Sequence, residues 1–410
     1  MTQSVNSSRL FNASCFALIT TAFSFSIRAG ILPQLGADFN LTAEQLGFIN
    51  SMFFLGFPIS MVIGGLVYHS VGPKIIMQIA FVCHTIGIIM TIYSGGYAGL
   101  LISTFFIGIG NGCTEAACNP MIADAYSGIT MNKMLNRFHM WFPGGIVVGS
   151  LISKFMTDAG MSWQSQIWVI MIPTIIYAFL FWGQAFPKPH IDGVSSIGEN
   201  VKAMFTPLFL FIFFCMAFTA ISEFGPQQWT GMIMSKSGAS PMLILALVTG
   251  LMAVLRFFAA PIVKLLGDTG ILWTASFLTA IGIYMFSTVT GPTAYLAAVI
   301  FAMGVGLFWP TMVGFVAQHV PLSGALGMSI IGGVGMLSTA IFQPFIGGWL
   351  DAETAEKAAQ GLIGDELALA AGQATLSTMI AFPAILIVAF GILFFWMKGR
   401  KPSTSTVAAH

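Results

Sequence analysis

A carboxylate, Glu115, stands in mid-stretch between Gly108 and Ser150, a run of mostly apolar or small residues, with Asn111 and Asn119 close by. A charge inside a membrane costs about 3 kcal/mol on insertion scales, so such a side chain is a functional candidate by default. Its chemistry would be that of a proton carrier whose protonation is linked to substrate occupancy; the alternative is a structural ion pair with Arg28 or Arg256. Glu223 is a second such acid, in Ile221-Ser-Glu223-Phe-Gly-Pro226-Gln227-Gln228-Trp229. Gly225-Pro226 is expected to break or kink the helix and free backbone groups to line a cavity. Gln227 and Gln228 can exchange hydrogen bonds with hydroxyls, and the Trp229 indole can cover an apolar ring face, which together suit a sugar. The competing reading puts this trio at an outer interface, where Trp is common.

Arg28 and Arg256 are the two cations inside apolar stretches, one in each half. They either pair with Glu115 and Glu223, cutting the cost of burying all four, or clamp an anionic group in a guanidinium fork. His139 has the chemistry of a proton relay near neutral pH, or of a plain interfacial histidine. Trp141, Trp309 and Gln343 are candidate cavity walls, with ordinary helix packing as the alternative for each.

The elements that must position these groups follow from composition. The chain has 410 residues, 57% hydrophobic and 7% charged. Soluble domains carry charge on about a quarter of their residues, so this is a membrane protein with lipid as its partner. At about 20 apolar residues per crossing there is room for about a dozen spans. A net charge of +1 with no basic stripe argues against nucleic acid. The cysteines, Cys15, Cys83, Cys113, Cys118 and Cys215, lack metal-ligand spacing and read as small buried residues. No signal-cleavage pattern follows the first apolar run, which is expected to stay as a span. Walker, HExxH and acyl-transfer motifs are absent from the sequence, so neither an enzyme, a cofactor nor an ATP-driven pump is indicated.

Spans are expected to begin near Arg9, Thr42, Lys74, Gly99, Lys133 and Trp163, then near Met204, Ser240, Gly270, Thr293, Ser323 and Thr375. This predicts an all-α membrane protein with twelve transmembrane helices in two pseudo-symmetric six-helix bundles. The bundles would cover 1–186 and 203–397, with a cytoplasmic linker at 187–202 and a cytoplasmic tail at 398–410. A polar insert, Asp351 to Gln373, is expected to form short surface helices. With a cytoplasmic N-terminus that side collects Arg9, Lys74, Lys133, Arg137, Lys188, Lys202, Lys264, Lys398, Arg400 and Lys401, against Lys154, Lys236 and Lys357 opposite. The positive-inside rule then puts both termini in the cytoplasm. The halves echo one another: Gly65 to Gly72 matches Ala260 to Gly267, and Gly108-Ile-Gly110 matches Gly304-Val-Gly306. The two nearly equal offsets suggest duplicated halves with a site between them.

At this point the sequence resembles the major facilitator superfamily over nearly its whole length. The loop from Gly65 to Lys74 looks like that superfamily's signature between spans two and three, with His69 and Ser70 where it has Asp-Arg and Pro73 at a basic position. Within the superfamily, Gly110-Asn-Gly-Cys-Thr-Glu115-Ala-Ala-Cys-Asn119-Pro120 and then Leu135-Asn136 resemble the fucose–proton symporter group. The pattern departs from that group where Arg28, Ala29 and Gly30 precede Ile31-Leu32-Pro33 without an acid, and where Phe142 falls on an asparagine. What the resemblance implies is the major facilitator fold in a bacterial inner membrane and, rather than fucose itself, import of a neutral sugar by proton-coupled symport through alternating access. The rival within transport is an organic-anion or acidic-sugar carrier using Arg28 and Arg256. An uncoupled facilitator and a multidrug exporter stay open, and a membrane sensor that binds without flux is the reading from another class.

Overall fold

The computed structural model describes residues 5–126, 128–187 and 197–398, and these form helices joined by short turns. Helix α1 (Ser7–Phe39) is capped by Asn6, whose side chain accepts from Arg9 N, and ends at Asn40 in the left-handed conformation. Helix α2 (Ala43–Ile92) starts on a capping box, Thr42 with Gln45. The first half continues through α3 (Tyr97–Ala125), α4 (Gly128–His139), α5 (Trp141–Asp158) and α6 (Trp163–Phe181). A short helix α7 (Ile197–Met204) precedes α8 (Pro207–Ile233), α9 (Pro241–Phe257), α10 (Ala259–Phe286), α11 (Thr293–Val305) and α12 (Phe308–His319). The chain closes with α13 (Gly324–Ala359), α14 (Gly364–Met379) and α15 (Ala381–Met397).

Two of these helices run from one crossing into the next across a single kinked glycine. Gly72 in α2 has φ 76 and ψ 162, and Gly267 in α10 has φ 64 and ψ 172, a region that side-chain-bearing residues avoid. These are the last residues of the two echoing heptads. Other crossings are built from two consecutive helices: α4 with α5, α9 with the start of α10, α11 with α12, and α14 with α15. The described residues thus make twelve crossings, six before residue 187 and six after 204. The GxG echo has a packing role in both halves. A Cβ at Gly110 would collide with the His84 ring and one at Gly108 with the Phe53 carbonyl; Gly304 is likewise pressed against Thr279 and Gly306 lies close to Met252. All five cysteines are buried and unpaired.

Two expectations are corrected. The polar insert is not a set of separate surface helices: α13 continues to Ala359 and α14 begins at Gly364, so it extends two spans and the turn between them is short. The good helix formers there simply prolong helices already nucleated in the membrane. Nor does Gly225-Pro226 break its helix, since α8 is helical from Pro207 to Ile233. Packing on all sides holds this segment, and Thr230 Oγ1 donates to the Pro226 carbonyl at 2.7 Å. Of the expected linker, 188–196 lies outside the described residues, as do 399–410 of the tail and the side chains of Lys133 and Asn136.

The halves are pressed together at the end of the molecule away from the termini. Gly47 of α2 meets the Gln343 carbonyl and Pro344 of α13, Gly347 of α13 meets the Ala43 carbonyl, and Gly231 of α8 meets the Ala29 carbonyl. A Cβ at Gly30 would lie 2.9 Å from Met242 Sδ in the other half. Small residues allow such approach between membrane helices. Across this seam the Asp351 carboxylate, on α13, accepts from Ala43 N at 2.9 Å and Glu44 N at 2.8 Å, capping α2 from the opposite half. A negative charge on a helix N-terminus is favourable twice, through the orphan N–H groups and through the dipole. At the other end of the same helices, Gly65, Gly144 and Gly314 have no atom near enough to obstruct a Cβ. No glycine contact of the seam's kind is made at those three positions, on α2, α5 and α12.

Asp351→Ala should cost the closed seam about 0.5–2 kcal/mol, the range for losing a cap, which is about a 2- to 30-fold shift in its population. Spin labels at the far ends of α2 and α13 should then report a longer-distance population that the unaltered chain lacks. An unchanged distance distribution would show that the cap does not hold the seam.

Candidate functional site

An aromatic cluster spans the two halves beside the seam. The Phe25 ring of α1 makes edge contacts with Phe53 and Phe54 of α2, Phe142 of α5 and, across the halves, Phe224 of α8, at centroid distances of 5.8–6.3 Å. Phe224 continues the cluster to Trp309 of α12 at 6.2 Å. Trp309 is half-buried and packs over Gly332 and Gly335 of α13, which leave room for its ring.

The charged candidates fall into three settings. Glu115 is half-buried on α3, and its carboxylate accepts from Asn119 Nδ2 at 2.6 Å. Arg28 does not pair with it. The Arg28 guanidinium is 4% exposed, donates from Nη2 to Asn50 Oδ1 at 2.6 Å and lies 4.7 Å from the centre of the Phe53 ring. It turns into a cavity bounded wholly by first-half residues, among them Leu32, Asn50, Thr104 and Ile167. The expected Glu115–Arg28 pair fails because α1 presents Arg28 to α2 instead. In the second half Glu223 is 3% exposed, and its Oε1 lies 4.0 Å from Nη2 of Arg256. Arg256 donates from Nε to the Gly306 carbonyl at 2.9 Å and keeps 30% of its side chain exposed. This cation faces α8 and the α11–α12 break, and its contact with Glu223 is an ion pair too long for a hydrogen bond.

The three residues read as a sugar platform are occupied by the protein itself. Gln228 donates from Nε2 to the Phe25 carbonyl at 3.2 Å, across the seam. Trp229 is fully buried and donates from Nε1 to Gln343 Oε1 at 2.7 Å. Gln227 faces the core of the second half, where its amide nitrogen lies 3.7 Å from Met252 Sδ. They form the closed end rather than an outer interface. His139 and Trp141 are exposed where α4 meets α5, with His139 against the Phe138 ring.

Asn111 is not part of the Glu115 face. It belongs to a buried network centred on His84 of α2, a residue missed in the sequence although it lies in mid-span like Glu115. Asn111 Nδ2 donates to Ser24 Oγ at 3.3 Å, so its Oδ1 accepts from His84 Nε2–H at 2.9 Å. His84 Nδ1 is then the acceptor for the Tyr177 hydroxyl, also at 2.9 Å. The chain Tyr177–His84–Asn111–Ser24 ties α6, α2, α3 and α1 together within the first half and uses a neutral imidazole. At the termini face the Tyr68 hydroxyl donates to Asp124 Oδ2 at 2.7 Å, bracing α2 on α3 beside the substituted His69-Ser70 positions.

Twelve crossings in two echoing halves leave several families open, and comparison with known proteins decides between them. The family model described as Major Facilitator Superfamily matches residues 14–343. The chain belongs to that superfamily. Its function is therefore membrane transport by a non-enzymatic protein of this type. Among superfamily members, it is 23% identical over 371 residues to a Bacillus subtilis (strain 168) protein named for niacin/nicotinamide transport, NiaP, covering 85% of this chain and 90% of that one. A hexuronate transporter of the same organism is 26% identical over 188 residues, 42% of this chain and 43% of the relative. The fold matches a bacterial homologue of the human lysosomal transporter Spinster, in an inward-facing and unoccupied conformation, with a TM-score of 0.77 at 18% identity, covering 96% of this chain and 97% of the other. A D-xylose–proton symporter matches with a TM-score of 0.75 at 14% identity, covering 94% and 97%.

Asn111→Leu should strand the His84 Nε2–H in the core, costing about 1–3 kcal/mol, while Ser24 keeps its bond to the Thr21 carbonyl. Thermal unfolding in detergent should show a Tm lower by several degrees. A Tm equal to that of the unaltered protein would show that the network contributes nothing to the fold.

Proposed function

We propose that this superfamily member is a proton-coupled secondary transporter of a small organic anion, with Arg256 as the carboxylate anchor in a cleft between the halves. The observation that carries the reading is the loose Glu223–Arg256 pair: a partly exposed guanidinium with one hydrogen bond, to Gly306, and a carboxylate 4.0 Å away. A guanidinium fork is shaped for a carboxylate, and a substrate that supplies one at hydrogen-bonding distance outcompetes the longer contact to Glu223. Glu223 is then an anion in a buried setting without its cation, which is costly, so it takes up a proton as the substrate binds. Trp309 and Phe224 offer apolar faces for the rest of the molecule.

Of the relatives' names, hexuronate supports an anionic cargo, and niacin/nicotinamide pairs a carboxylate with its neutral amide. The neutral-sugar reading loses support because Trp229 and the Gln228 amide nitrogen are bonded at the seam and Gln227 faces the second-half core. Arg28 is removed from the substrate site by its position in the first-half core. The distribution of Lys and Arg supports cytoplasmic termini in a bacterial inner membrane, so the Asp351 seam would close the outward side and a substrate cleft between the halves would open inward. Alternating access would then consist of closing the termini side and parting the Asp351 seam.

Proteoliposomes loaded for an imposed pH gradient test the coupling directly. Glu223→Gln should abolish gradient-driven accumulation of a labelled carboxylate while leaving carboxylate exchange within a few fold of the unaltered protein. Arg256→Gln should lose both, by about 30-fold or more in apparent affinity. Accumulation that survives in Glu223→Gln would sink the assigned proton carrier, and full uptake by Arg256→Gln would sink the anchor.

A further inference from the structure

Arg28 carries a charge that no protein group neutralises. A guanidinium stays protonated throughout the range in which proteins fold, and among the described residues no acid lies within ion-pair distance of this one. Its bond to Asn50 also settles the amide. Because a guanidinium has no acceptor, Asn50 must turn Oδ1 toward Arg28, and its Nδ2 becomes a donor pointing elsewhere. Arg28 Nη1 and Asn50 Nδ2 are both buried with no protein acceptor in reach. Both residues line the same first-half cavity, whose other polar lining is the hydroxyls of Thr91 and Thr104, and which has room for a water-sized species. The Phe53 ring face offsets part of the charge but accepts neither of the two amide-type N–H groups.

Two donors and one uncompensated positive charge, walled by Ile and Leu side chains, call for a ligand that is small, negative and an acceptor only. A water would satisfy the donors and leave the charge; a monatomic anion satisfies both. We propose that a chloride-sized inorganic anion binds between Arg28 and Asn50 as a structural ion of the first helical bundle. The site is independent of the Glu223–Arg256 pair and of any transported substrate. It lies on α1 and α2 next to the closed seam, since Asn50 follows Gly47, which meets α13, by three residues.

The test uses the purified full chain and reads stability rather than transport, so its failure would leave the carboxylate reading untouched. Thermal unfolding is followed at fixed pH and ionic strength in sodium chloride, sodium bromide or sodium gluconate. Tm should be higher by about 2 °C or more in either halide and should saturate as halide is titrated in. Asn50→Leu, which keeps the arginine, and Arg28→Met should each remove the difference between salts. Crystals of the unaltered protein grown in bromide should show an anomalous peak between Arg28 Nη1 and Asn50 Nδ2. Equal Tm values in all three salts, a halide effect that persists in both variants, or an anomalous map without that peak would each overturn the proposal.

Discussion

A guanidinium cannot shed its charge, and a bundle of apolar helices gives it little to lean on. The two arginines in the spans of this chain meet that constraint in opposite ways. Arg28 is enclosed, held by an amide and an aromatic face with no acid beside it. Arg256 stays partly exposed and stands off from its acid by 4.0 Å. A tight buried pair would be satisfied and inert. A loose, partly exposed pair can exchange partners, and in the function proposed above that exchange would link an anionic substrate to a proton.

The remainder of the structure joins the two halves at one end. Glycines at the seam let α2 meet α13 and α8 meet α1 backbone to backbone, and Asp351 closes the junction as a helix cap supplied from the other half. The Phe25-centred cluster spans the two halves beside it. Contacts of this kind are numerous, shallow and largely uncharged, which suits an interface that must part and re-form. The cores of the halves are held differently, by the Tyr177–His84–Asn111–Ser24 network in the first and by close glycine contacts such as Gly304 on Thr279 in the second.

Architecture was legible in the sequence because it rests on periodic, local signals. Apolar length gave the crossings, and the Gly72 and Gly267 echo marked the two points where the backbone turns through a left-handed glycine. The polar insert was misread because its propensity is the same in a separate surface helix and in the extended end of a span. Site residues were legible as candidates and not as an arrangement. The burial cost that singled out Glu115 applies equally to His84 and Asn50, whose roles depend on neighbours from other helices. Whether Gln228 and Trp229 face a substrate or a seam is decided by the approach of α1 and α13, which no local pattern encodes.

The central claim is that the protein recognises a carboxylate through Arg256. The measurement that bears on it most directly is uptake of a labelled pyridine carboxylate against the matching carboxamide, with one neutral hexose alongside, in proteoliposomes holding the unaltered chain. The two pyridines share ring and size and differ in the charge offered to the guanidinium. Preference for the carboxylate by about 10-fold or more, with no flux of the hexose, is the predicted result. Equal transport of acid and amide, or transport of the hexose alone, would contradict it.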